Sequence, residues 1–287
     1  VLLNAVFIFG LFGAPRLGVV GVAVATSASR VIELGLCFWV SARSKNVKLK
    51  FSALFVRSKL LFSDFVRLSL PALANDVVWG VGFSMYSVIL GHLSAEAVAA
   101  NSFAIVVRNF GSVLCFGQAS AGGILLGQMI GENKLEEAKA GAKRVLNLTI
   151  AGGVLGGLVI LCITPLVLQY ADLSATAMGY LKAMLLINAY YIMGGAVNTT
   201  LIAGVFRAGG DSRFGLVCDI LDMWVYAVPL GFLAAFVLEL PVVWVYFLLC
   251  TDEFVKWPWV FKHYRSGKWL KNITREGLFE EPPAGAL

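Results

Sequence analysis

Charge is scarce in this sequence. Of its 287 residues only 14% are Asp, Glu, Lys or Arg, while 59% are hydrophobic, against about 25% charged and about 45–50% apolar in soluble domains. That balance excludes a water-soluble globule. Histidine is nearly absent: His92 and His263 stand far apart, neither has a metal-ligand partner at a useful spacing, and both read as surface residues. The cysteines Cys37, Cys115, Cys162, Cys218 and Cys250 stand singly inside apolar runs without any C-x-x-C spacing. Neither a zinc site nor a disulfide framework is expected, and these cysteines read as small packing residues. There is no H-E-x-x-H, no G-x-S-x-G and no acid pair beside a histidine, so an enzyme is not expected. The chain opens at Val1 inside an apolar segment with no methionine, basic n-region or cleavage site, and its true start is expected upstream.

What the sequence does hold is long apolar runs, with a mean hydropathy of +0.82. A partial run covers Val1–Phe12, and complete runs cover Leu17–Val40, Phe65–His92, Ala97–Ile130, Val145–Leu168, Ala175–Phe206, Phe214–Val237 and Val242–Phe261. Each complete run is near or above the ~20 residues that cross a bilayer as a helix. They exceed the ~9–11 residues of a barrel strand and do not alternate apolar with polar. Helices remain, and the expectation is an all-α polytopic membrane protein whose first partner is the lipid bilayer. Small residues in mid-span, namely Gly117, Ala121, Gly122, Gly152, Gly153, Gly156 and Gly157, predict close helix approach.

The net charge of +6 lies between the runs without interleaved aromatics, so no nucleic-acid partner is expected. Its distribution sets an orientation instead. Arg43, Lys45, Lys48, Lys50, Arg57 and Lys59 fill the linker Ser41–Lys59, Lys134, Lys139, Lys143 and Arg144 fill Gly131–Arg144, and Arg207 and Arg213 flank the turn Ala208–Ser212. The tail from Lys262 is basic as well, whereas the alternate connections Leu93–Glu96, Gln169–Ser174 and Leu238–Pro241 hold no Lys or Arg. Arg16 alone falls on the other side. The basic loops and the C-terminus are therefore expected in the cytoplasm.

The turn FRAGGDSRF at Phe206–Phe214 resembles the cytoplasmic R-x-G-G-D signature of the multidrug and toxic compound extrusion (MATE) family. Asn4–Thr26 (NAVFIFGLFGAPRLGVVGVAVAT) is similar to the junction of that family's fifth and sixth helices, Phe116–Lys139 (FGQASAGGILLGQMIGENKLEEAK) to its eighth helix and following connector, and Glu253–Thr274 to the end of its last helix. Together these cover nearly the whole chain. The resemblance implies a MATE-like helix bundle with one complete six-helix lobe plus the last one to two helices of the other lobe, as in repeat-built transporters that alternate between inward and outward states. Residues 1–42 would be the last helices of a truncated first lobe, 43–63 a cytoplasmic inter-lobe linker, 64–264 the second six-helix lobe and 265–287 a cytoplasmic tail. The first four helices would be missing, so the N-terminal lobe counts among the expected partners and a truncated gene product is expected. The implied function is a cation-coupled antiporter, driven by protons or sodium, that exports organic cations and drugs across the plasma membrane without a cofactor.

Ionisable groups inside spans cost about 2.5–3.5 kcal/mol each at a helix centre and so mark candidate ion or substrate sites. Asp76 comes first. It lies some way into Phe65–His92 on one face with Ala72, Gly80 and Phe83, with Asn75 and Trp79 beside it. Pro71 frees the carbonyl of Arg67 and is a candidate hinge. A lone buried acid that excludes either a proton or a cation suits antiport, and Trp79, Phe83 and Tyr86 offer cation–π attraction. The alternative is a packed aspartate bonded to a neighbouring helix. Sodium-coupled family members carry a glutamate roughly two turns after this proline, where Trp79 stands here, and a tenth-helix aspartate, where Gly195–Phe206 offers Ala196 and Asn198 and no acid. The sequence thus departs from a two-carboxylate sodium site.

Asp219 and Asp222 lie three apart on one helical face, placed to guide a cation or to pair with Arg207, Arg213 or Arg30. Pro229, deeper in the same span, is a second candidate hinge. Arg108 is a candidate counter-charge for Asp76 or a snorkelling side chain. Asp252, Glu253 and Lys256 read as a self-neutralising structural set in the last span, and Arg30 with Glu33 as a similar pair. Asn198 and other in-span polar side chains either line a cavity or bond between helices. The competing functions are a channel, a non-transporting membrane fragment, and a flippase for lipid-linked oligosaccharides. A flippase cavity calls for many cationic residues, whereas only Arg108 and Lys182 stand away from the cytoplasmic edge.

Overall fold

Away from water, a run of apolar residues satisfies its backbone only by closing on itself as a helix. The computed structural model follows that rule: among the described residues (3, 6, 7, 10, 17–43 and 59–271) the regular elements are all helical. Most of the run Val1–Phe12, most of the linker and the tail beyond Lys271 lie outside the described residues. The chain divides between Phe62 and Ser63 into two compact units. In the first, α1 (Gly18–Arg43) is apolar over most of its surface, and Arg30 bonds Glu33 at 2.7 Å.

The second unit continues α2 (Lys59–Leu93) and adds α3 (Ala95–Gly131), α4 (Leu135–Tyr170), α5 (Ala175–Phe206) and α6 (Ser212–Val237). The described helices α1 to α6 are each long and apolar enough to cross a membrane. Two tight connections are set by serine caps. Ser94 accepts the Ala97 N–H at 3.0 Å to start α3, and Ser174 accepts the Ala177 N–H at 3.2 Å to start α5. The segment Gly131–Arg144 is largely the first turns of α4 rather than a separate connector, since its early Glu136 and Glu137 suit a helix N-terminus.

Helices α3, α4 and α5 pack backbone to backbone. A Cβ on Gly156 would sit 2.7 Å from the Gly111 carbonyl, one on Gly157 2.6 Å from the Ala189 carbonyl, and one on Gly204 2.9 Å from the Ala119 carbonyl. Glycine is needed at those crossings because any side chain would push the helices apart. Gly117 and Ala121, read from sequence as contact residues, are exposed, and Gly117 has open space where a side chain would go; Gly111 and Gly204 take the close-approach role instead. Gly122 of α3 and Gly152, Gly153, Gly156 and Gly157 of α4 are buried, as the sequence led one to expect.

Two spans are not regular α-helix. The last seven residues of α5, Thr200–Phe206, form wider π-helical turns, as do Ile220–Ala227 and Leu233–Val237 of α6. Such turns release backbone groups and concentrate at functional sites. The run Val242–Phe261, expected as one span, is instead three short helices: α7 (Val242–Leu249), α8 (Asp252–Val255) and α9 (Trp257–Ser266). Local polar groups compete with the helical ladder here. The Thr251 hydroxyl donates to the Leu248 carbonyl at 2.6 Å, and the Glu253 N–H donates to Asp252 Oδ1 at 2.8 Å. Pro258 then sits in the first turn of α9, where its missing N–H costs no bond.

The R-x-G-G-D turn between α5 and α6 is locked to the end of the chain. Gly210 has φ 76, a left-handed conformation that glycine adopts freely, and Gly209 lies so close to the Trp269 carbonyl that no Cβ fits. Asp211 meets His263 at 3.0 Å and Lys271 at 3.5 Å. His263, read from sequence as a surface residue, is partly buried and stacked on Phe214 with ring centroids 3.7 Å apart.

A bulky residue at a glycine crossing should therefore cost more than one at an open position. We expect Gly156→Leu to destabilise the bundle by about 1–3 kcal/mol through overpacking and Gly117→Leu to leave it nearly unchanged, as read by thermal unfolding in detergent followed by size-exclusion chromatography.

Candidate functional site

The breaks just described converge on one place. Lys256, the residue between α8 and α9, points its ammonium into the bundle with its side chain 2% exposed. Nζ lies 3.2 Å from Asp219 Oδ1, 3.2 Å from Asp222 Oδ2 and 3.3 Å from Glu253 Oε2. Asp219 and Asp222 come from the start of α6, three residues apart, so one face delivers both. Glu253 is held further by Asn198 of α5, whose amide donates to Glu253 Oε2 at 2.6 Å and also to the Glu253 backbone carbonyl. Tyr191 donates to Glu253 Oε1 at 3.3 Å, and Tyr86 of α2 donates to Asp252 Oδ2 at 2.8 Å. Asp252 is 1% exposed and Asp222 likewise.

Asp222 differs from its neighbours. Neither of its carboxyl oxygens accepts a hydrogen bond from a described residue, although the ammonium of Lys256 stands within ion-pair distance. Three buried carboxyl groups therefore face one buried ammonium, and a fourth, that of Asp252, is buried beside them. Taking ions out of water costs several kcal/mol per charge, so such a cluster is an expensive thing to keep for stability alone.

The cluster opens into a cavity of about 290 Å³ lined by Asn75, Asp76, Trp79, Phe116, Asn198, Thr199, Arg207, Asp219, Glu253 and Lys256, among others. Asp76 bonds Arg207 at 3.1 Å at its rim, with side chains 64% and 36% exposed respectively. Asn75 is buried with its Oδ1 unbonded by any described residue. Trp79 and Phe83 meet edge to face at 4.5 Å.

The structure thus brings Asn75, Asp76, Trp79, Asn198 and Asp219 to one cavity, with Asp222 reached through Lys256. Arg108 stands apart. Its guanidinium lies over the rings of Phe83 (4.9 Å) and Tyr191 (5.6 Å), in a second cavity of about 250 Å³. It is not the counter-charge of Asp76, because Arg207 reaches that acid from the end of α5 and the aromatic faces draw Arg108 inward rather than toward the surface. Nor do Asp219 and Asp222 pair with Arg207 or Arg213; Lys256 takes both, while Arg30 bonds Glu33 within its own helix. Pro71 lies one turn before Asn75 in a helix that runs on without a break, and Pro229 follows the wide turns Ile220–Ala227 of α6.

Sequence reasoning missed Lys256, Glu253 and Asp252 as site residues, and with them Arg207 and Tyr191; Tyr86 was read as a cation–π surface and instead bonds Asp252. The set Asp252, Glu253 and Lys256 does not neutralise itself, since Asp252 turns to Tyr86 and two more acids arrive from α6. A signal was present: the last two runs together carry Asp219, Asp222, Asp252 and Glu253 against Lys256 alone away from their ends.

Comparison with known proteins adds the following. The family model described as MatE matches residues 72–233. The chain is 26% identical over 276 residues to "Uncharacterized transporter YisQ" of Bacillus subtilis (strain 168), covering 93% of this chain and 59% of that protein. It is 23% identical over 292 residues to "Probable multidrug resistance protein NorM" of Thermotoga maritima, covering 98% of this chain and 60% of that one. Among solved structures, "Crystal structure of MATE in the straight conformation" superposes with a TM-score of 0.76 at 20% identity, over 93% of this chain and 60% of the other. The chain thus spans about 60% of the length of these curated relatives.

Removing the cluster's only cation leaves its acids buried and unpaired, a change that typically costs about 3–5 kcal/mol. We expect Lys256→Met to lower thermal stability strongly. Asp76→Asn breaks an exposed pair, for which about 0–1 kcal/mol is usual, and should leave the unfolding temperature almost where it was.

Proposed function

Because the chain belongs to the MatE family, we propose that it works in the export of organic cations across the plasma membrane by cation-coupled antiport, with the proton as the coupling ion. The observation that carries this reading is the buried imbalance of four carboxyl groups against one ammonium. Ionised together they would leave a large uncompensated charge in a low-dielectric interior, so protons bound to the acids supply the missing positive charge. Asp222 is the acid assigned to carry the exchangeable proton, since no hydrogen bond from a described residue fixes either oxygen. A sodium ion fits this centre less well. The ammonium of Lys256 already stands where Asp219, Asp222 and Glu253 converge.

Organic substrate enters the adjoining cavity, whose wall carries Glu253 and Asp219 beside Trp79 and Phe116. Aromatic faces and acids both attract a large cation. A cation there and protons on the cluster repel each other, so each leaves as the other arrives, and that exclusion is the core of antiport. Asp76 and Arg207 close the rim of the cavity and open when a charged substrate competes for Asp76. The basic loops and C-terminus lie in the cytoplasm in this reading, and Pro71 and Pro229 serve as hinges. Since the relatives are longer, transport is an activity of the whole gene product, with the other lobe forming the opposite wall.

The full gene product in liposomes tests the proposal. With an imposed pH gradient and no sodium, wild type should accumulate a fluorescent organic cation. Asp222→Asn should lose most of that accumulation, because an intramembrane acid that carries the coupling proton has no substitute in the amide, while keeping its unfolding temperature. Asp222→Asn running at the wild-type rate would sink the assignment of the cluster, and accumulation driven only by a sodium gradient would replace the proton.

A further inference from the structure

The cavity beside the acid cluster does not end at Glu253. A small pocket of about 110 Å³ shares Trp79, Phe116, Thr199 and Glu253 with it, and shares Phe83, Arg108 and Tyr191 with the second cavity. The three spaces therefore form one aromatic-walled run, acidic at one end and basic at the other. Tyr191 spans the change of sign: its hydroxyl donates to Glu253 at 3.3 Å and its ring faces the Arg108 guanidinium at 5.6 Å. The negative and positive groups are thus about one tyrosine apart.

Arg108 has no acidic ion-pair partner among the described residues, and its guanidinium makes no hydrogen bond to any of them. Beyond those ring faces it feels only the longer-range field of buried groups such as Asp252, and a cation so placed is costly. The neighbouring hydroxyls are occupied elsewhere, Tyr246 with Asn188 at 3.0 Å and Tyr86 with Asp252. What remains free is a fork of N–H donors suited to a planar carboxylate.

We propose that Arg108 is the anion-holding, specificity-determining residue of a two-point site for aromatic zwitterions. The substrate carboxylate binds the Arg108 fork, its cationic end faces Glu253, and its ring system lies among Trp79, Phe83 and Phe116. The inference rests on the export reading above and adds the class of substrate: molecules carrying both charges on an aromatic frame are favoured over the same frame with the acid masked.

A matched pair of probes, rhodamine B and its ethyl ester, separates the two ideas by fluorescence polarisation on the purified full gene product. Wild type should bind the acid about tenfold or more tightly than the ester, as a charged hydrogen-bonded pair implies. Arg108→Gln should bring the acid down to the level of the ester and leave the ester unchanged. Glu253→Gln should weaken both. If Arg108→Gln leaves the acid's affinity intact while Glu253→Gln weakens both probes, the anion site is overturned and the export reading stands. If both probes bind wild type equally, the anion site is likewise overturned; if neither binds a folded wild type, both readings fall. Should Arg108→Gln not fold, Arg108→Lys keeps the charge and loses the fork, and its preference for the acid should drop at least about threefold; an unchanged preference overturns the proposal.

Discussion

The ammonium of Lys256 among Asp219, Asp222 and Glu253 is the contact on which the irregular half of the bundle depends. It ties the start of α6 to a segment that, on hydropathy alone, would have been a plain spanning helix. The segment gives up regular helical hydrogen bonds at Thr251 and at Lys256 itself, and the losses are made good locally. Thr251, Asp252 and Asn198 each bond a backbone group that a continuous helix would have bonded for itself. Breaking the helix is what brings Asp252, Glu253 and Lys256 into three different directions, so that one faces Tyr86, one faces Asn198 and Tyr191, and the last faces the acids of α6.

The membrane makes this arrangement informative. In water, a cluster of acids around a lysine is held loosely and hydrated from outside. In a bundle whose outer surface is Val, Leu, Phe and Ile, each charge must be answered from within, and the answers can be counted side chain by side chain. Asp219, Asp252 and Glu253 each accept a hydrogen bond, whereas Asp222 has only its ion pair with the ammonium. The charge pattern and the chain break therefore explain each other.

Much of the architecture was legible in the sequence because it rests on composition and length. The spans, the all-α class and the small residues of α4 follow from apolar runs and their punctuation, and the R-x-G-G-D turn marks where α5 hands over to α6. The site was less legible. Asp219 and Asp222 could be placed on one face from their spacing, yet their partner lies more than thirty residues on, across a turn, and nothing in local periodicity points to it. Asp252, Glu253 and Lys256 looked self-sufficient because helical spacing puts Glu253 near Lys256, which is true, and leaves Asp252 near both, which holds only if the helix is continuous. Arg108 was read against Asp76 because both lie deep in adjacent spans. Depth alone does not say which face a side chain takes, and the rings of Phe83 and Tyr191 decided it.

The backbone-to-backbone crossings of α3, α4 and α5 have a mechanical side. Glycine contacts leave no side chains to slide or change rotamer, so those three helices behave as a stiff slab that keeps its shape. The wide turns of α6 and the short pieces α7 to α9 are the opposite: their backbone carries loosely committed carbonyls and several joints. Any reshaping of the cavity that shifts Asp219, Asp222 or Lys256 is thereby channelled into the jointed side, while Asn198 and Tyr191, rooted in the slab, stay put as fixed reference points against which the movement is registered.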